Sequence, residues 1–344
     1  MPTAIGTNTI TSIVDRYLLP QITDNVYNSN PLIFRLIKGN KKIVQGGPQI
    51  EAPIMLSDFT AGGFYQGLDL LNMVPQDTIK NAVWDWKQAY VPLVFDGLTL
   101  AKTDSPNAIA NLIQLQTAQA QMKMAEVLAA GIWSGASGSA LADPKTIDGI
   151  PSIVDNAFSW ATYGGLSRST YTAWKAASDA LAIWGNAGNT VLALTLANLQ
   201  TIWSGANIGG RAPSIIVSRQ DQYNRFWNLA YTGGNQSVVQ HTIQGGAVDE
   251  QLFSAGFHNV LFNGVPWVVD SHVPINAANG STSSMVYMLN EDFLNLVVSP
   301  RGDMVMEDFQ TPIGQDAIAA KLLWYGNLIS TSPRAHAVGT RFTS

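Results

Sequence analysis

One stretch constrains this chain more than any other, the thirty-residue run from Asp104 to Trp133. Ser105 is a capping residue, Pro106 suits the first helical position, and no later proline interrupts the run. The spacing predicts one long helix of about 40 Å, at ~1.5 Å per residue. Ile109, Leu112, Ile113, Ala120, Met124 and Leu128 form an apolar stripe, and Leu115, Met122, Ala125, Ala129 and Ile132 widen it well beyond a narrow seam. After Asp104 only Lys123 and Glu126 are charged. A lone surface helix carries more charge than this, so the helix is expected to be packed on most sides by its own domain or by neighbouring copies. Gly131 and Gly135 mark its end.

The same shortage of charge extends to the whole chain. Charged residues make up 12% of its 344 positions, about half the ~25% of an ordinary globular protein, and ten tryptophans accompany them. Such a surface is buried against partners, or else one large core absorbs most of the chain. The length suits two compact regions. With no cysteine, disulfides, thiol catalysis and zinc-thiolate sites are all excluded. The first apolar-periodic segment contains Asp15 and Arg16, unlike a signal peptide. The uncharged stretch 180–210 is interrupted by Gly185, Asn186, Gly188, Asn189, Asn198 and Gln200, so no membrane span is expected there.

Charge is unevenly placed. Residues 1–50 hold Arg16, Arg35, Lys38, Lys41 and Lys42 against Asp15 and Asp24, a balance of +3 that leaves −8 for the remainder of a chain of net charge −5. Those five cations are a candidate basic arm facing nucleic acid without sequence readout; scattered solvated charge is the alternative.

Ile10, Ile13, Val14, Tyr17 and Leu18 keep helical spacing up to Pro20. A second short helix opens at Asn30 and Pro31, carries Leu32, Ile33, Leu36 and Ile37 on one face, and ends at Gly39. Neither can form a core alone. From Lys41 to Leu100 the period changes to two: Ile50, Ala52 and Ile54 alternate, a Gly-rich segment holds Phe64 and Tyr65, and 79–95 read as one extended segment with Trp84, Trp86, Tyr90, Val91, Val94 and Phe95. This predicts a hairpin with arms beyond the usual ~5–6 residues. Trp84 and Trp86, two apart on a strand, share a face that a thin ribbon cannot bury. With Tyr90, Phe64 and Tyr65 they are the candidate inter-subunit contacts; packing on the subunit's own long helix is the alternative.

Beyond the helix, Asp148-Gly149-Ile150-Pro151 reads as a turn, with helix-like runs near 170–184 and 195–203. Ser214–Val217 is a short strand, and Ser218 with Asp221 opens a helix through Trp227. Asn263-Gly264 between apolar runs is the strongest hairpin signal, with Pro266 placing the second strand at an edge. Strands at 285–289, 294–298, 304–309, 319–329 and 335–342 complete an α+β pattern.

No catalytic, cofactor or metal residues emerge. His241, His258, His272 and His336 show no metal-ligand spacing, Ser137 lacks the Gly-x-Ser-x-Gly frame, and no phosphate-binding glycine loop is present. Glu291, Asp292, Asp303, Glu307, Asp308 and Asp316 stand against Arg301 alone and read as a solvated acidic face rather than a calcium loop. Arg301-Gly302-Asp303 reads as a turn between strands, and the sequons at Asn235 and Asn279 have no secretion signal beside them.

The order of parts resembles the major capsid protein of tailed double-stranded DNA bacteriophages, the Hong Kong 97-type fold. The segments that carry the likeness are Asp148–Asp155, Ser214–Arg219, Asn259–Asp270 and Tyr287–Leu294. The resemblance implies an N-terminal arm at 1–42 and an extended β-hairpin loop at 43–100. It implies a peripheral domain of 101–149 and 296–344 with a spine helix at 105–133, and an axial α/β domain at 150–295. It also implies self-assembly as pentamers and hexamers into an icosahedral shell around the phage genome, in a virion assembled in the bacterial host cytoplasm. The partners implied are a separate scaffolding protein, since only about 40 residues precede the loop, a portal, packaged double-stranded DNA held non-specifically, and in some relatives a decoration protein. Cleavage of a longer precursor would leave the same short arm. A few relatives crosslink a loop lysine to a neighbour's asparagine; here Lys80 and Lys87 lie in the loop and Asn327 lies late in the chain, with nothing local that marks them as reactive, and no crosslink is expected. No cofactor or membrane is implied. An encapsulin-like shell around an enzyme cargo, a non-icosahedral structural protein and a hydrolase of unrecognised type remain as alternatives.

Overall fold

Pro31 opens the first helix, α1 (Pro31–Gly39), in a computed structural model that describes residues 30–70, 75–98, 106–134, 145–155, 160–176, 193–207, 209–232, 260–276, 283–311, 314 and 316–343. Next come β1 (Lys41–Ile43), β2 (Ile50–Met55), β3 (Ile79–Trp84), β4 (Lys87–Asp96) and the long helix α2 (Pro106–Ile132). Beyond it lie α3 (Ile150–Ile153), β5 (Thr162–Tyr163), β6 (Leu166–Ser167), α4 (Leu196–Ala206), β7 (Ile215–Ser218) and α5 (Gln220–Thr232). The chain closes with β8 (Val260–Phe262), β9 (Val265–Val269), β10 (Ile275–Asn276), β11 (Ser283–Leu289), β12 (Leu294–Val298), β13 (Val305–Met306), β14 (Ala317–Ser330) and β15 (Ala337–Thr343). The helix expected at Ile10–Leu18 with Arg16, together with Ser105, Ser137, Asn235, His241, His258 and Asn279, lies outside the described residues. No helix among the described residues is long and apolar enough to cross a membrane.

Two sheets organise this mixed α and β chain. The first has five strands: β12, with β1 outside it, and β13 pair in succession along one edge of the long β14, and β4 pairs along its other edge. The second has six, in the order β10-β11-β7-β9-β8, with β15 on β11. In the second sheet Ile215, Val217, Tyr287 and Leu289 enter a core shared with α2 and the first sheet. Ile216, Val286, Met288 and Phe342 enter a second core beneath Leu199, Ile202 and Trp203 of α4 and Phe226 of α5. Burial on both faces explains why Ile215–Val217 is continuously apolar rather than alternating.

The spine of the molecule is α2. Ala120, Met124, Leu128 and Ile132 form its buried stripe, and the helix packs on β4 and β14. Just past its end the Trp133 indole donates to Asp270 Oδ2 at 2.7 Å, and its ring lies 5.1 Å from that of Tyr287. The helix therefore joins both sheets. Among the described residues it is packed on one side, and Ala118, Gln119, Gln121, Met122, Lys123, Val127 and Ala130 are exposed.

Several expectations change on folding. The extended segment 79–95 divides at Asp85–Trp86: β3 pairs with β2 over six residues each, while β4 runs beside β14 in the body of the molecule. The hairpin arms are thus of ordinary length, and β4 lies in the first sheet rather than in the loop expected to run to residue 100. At the other end of the chain β15, expected with 296–344, crosses into the second sheet and pairs with β11. The strand β9 is interior rather than an edge. Pro266 is tolerated because β7 pairs with β9 only from Trp267 onward. Counting outward from the Asn263-Gly264 turn, whose φ angles of 50° and 79° fit type I′, Pro266 opposes Leu261 in a non-hydrogen-bonded pair, so no ladder bond is lost. Ser218 does not cap α5; its hydroxyl accepts from Trp267 Nε1 at 2.7 Å and donates to the Arg219 carbonyl.

Candidate assembly surfaces

The base of the β2–β3 hairpin is fixed at three points. Trp84 is 3% exposed and meets Tyr163 edge-on at 5.7 Å. It also lies over Gly164, where φ is +54° and a Cβ would come within 3.0 Å of the indole, so the turn between β5 and β6 requires glycine. The Val83 amide donates to the Gly164 carbonyl at 3.0 Å. On the other arm the Trp86 indole donates to the Gly47 carbonyl at 3.1 Å. The third point is Asn327, fully buried, whose amide donates to the Asp85 carbonyl and to Asp148 Oδ2 while its oxygen accepts from the Asp148 and Leu328 amides.

Tyr163 is the hub of this base. Its hydroxyl accepts from the Ser330 amide at 2.8 Å, its carbonyl accepts from Trp174 Nε1 at 2.9 Å, and the Arg168 guanidinium stands 5.3 Å over its ring. Arg168 is fully buried, bound to Asp155 Oδ2 and to the carbonyls of Ser152, Ile153 and Trp160. Burial pulls its guanidinium below the ordinary arginine range, and Asp155 opposes that shift. Burial also pushes the Asp148 carboxyl up, against the Asn327 hydrogen bond.

The tip of the loop is the reverse. Phe64, Leu68 and Leu70 are fully exposed, and Phe59 and Tyr65 are largely so. No described residue between 57 and 77 is buried. Its order is local and polar: the Gln76 side chain accepts from Thr60, Asp69 accepts from the Gln66 amide, and Lys80 pairs with Asp77. Large apolar side chains on a tethered strap without a core of its own are the pattern of a surface that closes on something else.

The predicted contact residues therefore separate. Phe64 and Tyr65 stand at the free tip, and Tyr90 is 66% exposed on the outer face of β4. Trp84 is corrected: it is a base residue inside its own subunit, packed on Tyr163 and Gly164 rather than on α2. Trp86 is half-buried beside it, and the break at Asp85 ends the strand, so the two indoles do not share a strand face. Phe59, Leu68, Leu70, Tyr163, Arg168 and Trp174 were missed. Apolar residues without periodicity in a Gly-rich stretch are the signal that marks the first three.

The basic arm is also corrected in part. Arg35 makes a two-toothed ion pair with Glu291, at 2.7 Å to each oxygen, and Lys41 pairs with Asp303. Lys38 sits 5.6 Å from the Phe34 ring, and Lys42 is exposed. The acidic face at 291–316 is correspondingly less solvated than expected, with Glu307 paired to Lys321 as well. In the Arg301-Gly302-Asp303 turn, Gly302 lies under the Tyr325 ring where a Cβ would collide, and Asp303 is held by Lys41. Asn327, the late asparagine weighed for a crosslink, is fully buried with its amide nitrogen engaged by Asp85 and Asp148 of its own chain.

A buried histidine supplies a pH test. His336 lies between the Asn290 amide, which donates to Nδ1 at 3.1 Å, and Ser330 Oγ, 3.0 Å from Nε2. Burial pushes its pKa from 6.5 down to about 3, so it is neutral in the folded chain. The unfolded chain binds that proton more readily, so this contribution is complete above 6.5 and is lost as pH falls toward about 3. Burial raises Asp148 and Asp270, which act in the opposite direction over the acid range. In denaturant titrations of the unassembled subunit, the wild type is expected to lose stability on acidification faster than His336→Gln, by at most about 1.4 kcal/mol per pH unit. Equal slopes would contradict a neutral buried imidazole.

No protein-family model matches the chain, and no curated protein matches it in sequence. Solved structures do. The Cyanophage A-1(L) capsid asymmetric unit matches with a TM-score of 0.68 at 17% identity, over 98% of this chain and 100% of that one. The capsid of a native GTA particle matches with a TM-score of 0.56 at 12% identity, over 96% of each chain. The holo-SrpI encapsulin complex from Synechococcus elongatus PCC 7942 matches with a TM-score of 0.52 at 10% identity, over 99% of this chain and 96% of that one. Identities this low place the likeness in the fold rather than in the side chains. The fold is that of capsid and encapsulin chains, and the phage-capsid fold expected from the sequence is met over nearly the full length.

Proposed function

We propose that this chain is the structural, non-enzymatic subunit of a phage capsid, assembling as pentamers and hexamers into an icosahedral shell around double-stranded DNA. The observation that carries this reading is the loop: a base locked to its own subunit by Trp84, Tyr163 and Asn327, and a tip that offers Phe59, Phe64, Tyr65, Leu68 and Leu70 to a neighbour. A rigid base aims the tip, and a repeated heterologous contact closes identical subunits into rings. Tyr90 extends the same apolar offer onto the outer face of β4. Lys38 and Lys42, with Arg16 outside the described residues, remain as the arm's candidates for non-specific DNA contact. Scaffolding, portal and decoration proteins complete the proposed partners, with assembly in the host cytoplasm and the virion as final location.

The likeness to the encapsulin complex supports a second reading, a shell around a protein cargo. Nuclease treatment of purified particles separates the two. Protected DNA supports the capsid, whereas nucleic-acid-free particles that carry one defined protein support the cargo shell.

A further inference from the structure

The outer edge of β4 is the longest exposed strand edge among the described residues. β4 has ten residues, and β14 pairs with one side of it. The other edges of the two sheets are short, at β1, β8, β10 and β13, or buried, at β15. Which groups line the β4 edge follows from its register. One step beyond the ladder, the Gly97 amide donates to the Asp316 carbonyl at 3.0 Å, so Phe95, Leu93, Val91 and Ala89, at intervals of two, also turn their backbone groups to β14. The backbone groups of Gln88, Tyr90, Pro92 and Val94 therefore turn outward, and all four residues are exposed.

Such an edge is a template for a further strand. Its side chains favour pairing: Tyr90 and Val94 are large, apolar and exposed, and no charge stands between Lys87 and Asp96. What opposes pairing is Pro92, the one residue of the outward four without an N–H. We propose that Pro92 keeps β4 from pairing with the β4 of a second copy. Identical strands pair antiparallel about a two-fold axis, and the register that matches the most residues puts that axis at Val91 and Pro92, the middle of the strand. Both copies then lack a donor beside the axis. The proline also separates the outward N–H groups of Gln88 and Tyr90 from that of Val94, so no ladder runs the length of the edge. It costs its own subunit nothing, because Pro92 and Lys321 of β14 form a non-hydrogen-bonded pair. The apolar face of β4 thus stays open to ordered contacts while its edge is closed to strand addition. This inference concerns the unassembled chain and does not depend on shell formation.

Pro92→Val restores the N–H and keeps the position apolar, and Pro92→Thr restores it beside a hydroxyl. Full-length chains are held at a concentration at which the wild type stays unassembled, and turbidity and thioflavin-T fluorescence are followed over time. Thermal melting checks that each variant folds. Both variants are expected to melt as the wild type does and to form thioflavin-positive aggregates at least about fivefold faster. Hydrogen exchange on those aggregates is expected to show new protection at residues 88–94. Aggregation at the wild-type rate in both variants would overturn the proposal. Faster aggregation without protection at 88–94 would overturn it by placing the contact elsewhere, and a lowered melting transition in both variants would do so by making Pro92 a folding residue.

Discussion

Replacing residues 58–76 with a short Gly-Ser turn abolishes particle formation and leaves the melting transition of the unassembled subunit nearly unchanged. The replacement keeps the buried pair Leu56 and Thr78, whose backbones bond at 3.0 Å, and it removes no residue of either core. The residues lost are Phe59, Phe64, Tyr65, Leu68 and Leu70. If each is buried on a neighbour at about 1.5–3 kcal/mol, the loss is on the order of 10 kcal/mol per contact, more than a weakly charged interface can replace. Particle yield by electron microscopy and melting by circular dichroism are read on the same preparation. Particles that still form would remove the tip from the interface, and a collapsed transition would show that the loop belongs to the core.

Trp84→Ala has the opposite signature. The indole fills the space between Tyr163 and Gly164, and truncation opens a cavity expected to cost about 3–5 kcal/mol of folding. In a chain of this size that corresponds to a fall in melting temperature of about 4–7 °C. Assembly is then lost because the subunit is unstable, whereas Phe64→Ala lowers particle yield with no change in melting. An unchanged transition in Trp84→Ala together with lost particles would return Trp84 to the subunit interface.

The contrast between those two residues shows how much was legible in the sequence. The long helix, the Asn263-Gly264 hairpin and most late strands were readable because their signals are local: a proline at the first helical position, two residues that accept positive φ, alternation over a few positions. Exchange of strand partners is not local. Nothing between Ile79 and Asp96 says that the chain leaves β2 and joins β14, because both strands keep the same period and differ only in the partner across from them, 317–326 for β4. The face assigned to Trp84 and Trp86 failed for the same reason, since the break at Asp85 resets the alternation. Charge pairing was equally hidden. Arg35 and Glu291 lie 256 positions apart, and the basic arm looked unpaired until the fold brought them together. The exposed tip was half legible: Phe64 and Tyr65 were marked by their Gly-rich setting, while Leu68 and Leu70 carried no pattern of their own.

The mass of the purified full-length chain under assembly conditions tests the central claim most directly. Sedimentation velocity at micromolar concentration is predicted to show closed particles of many subunits, with rings as their intermediates. A single species near 37.0 kDa, with no particles by electron microscopy, would contradict a shell subunit.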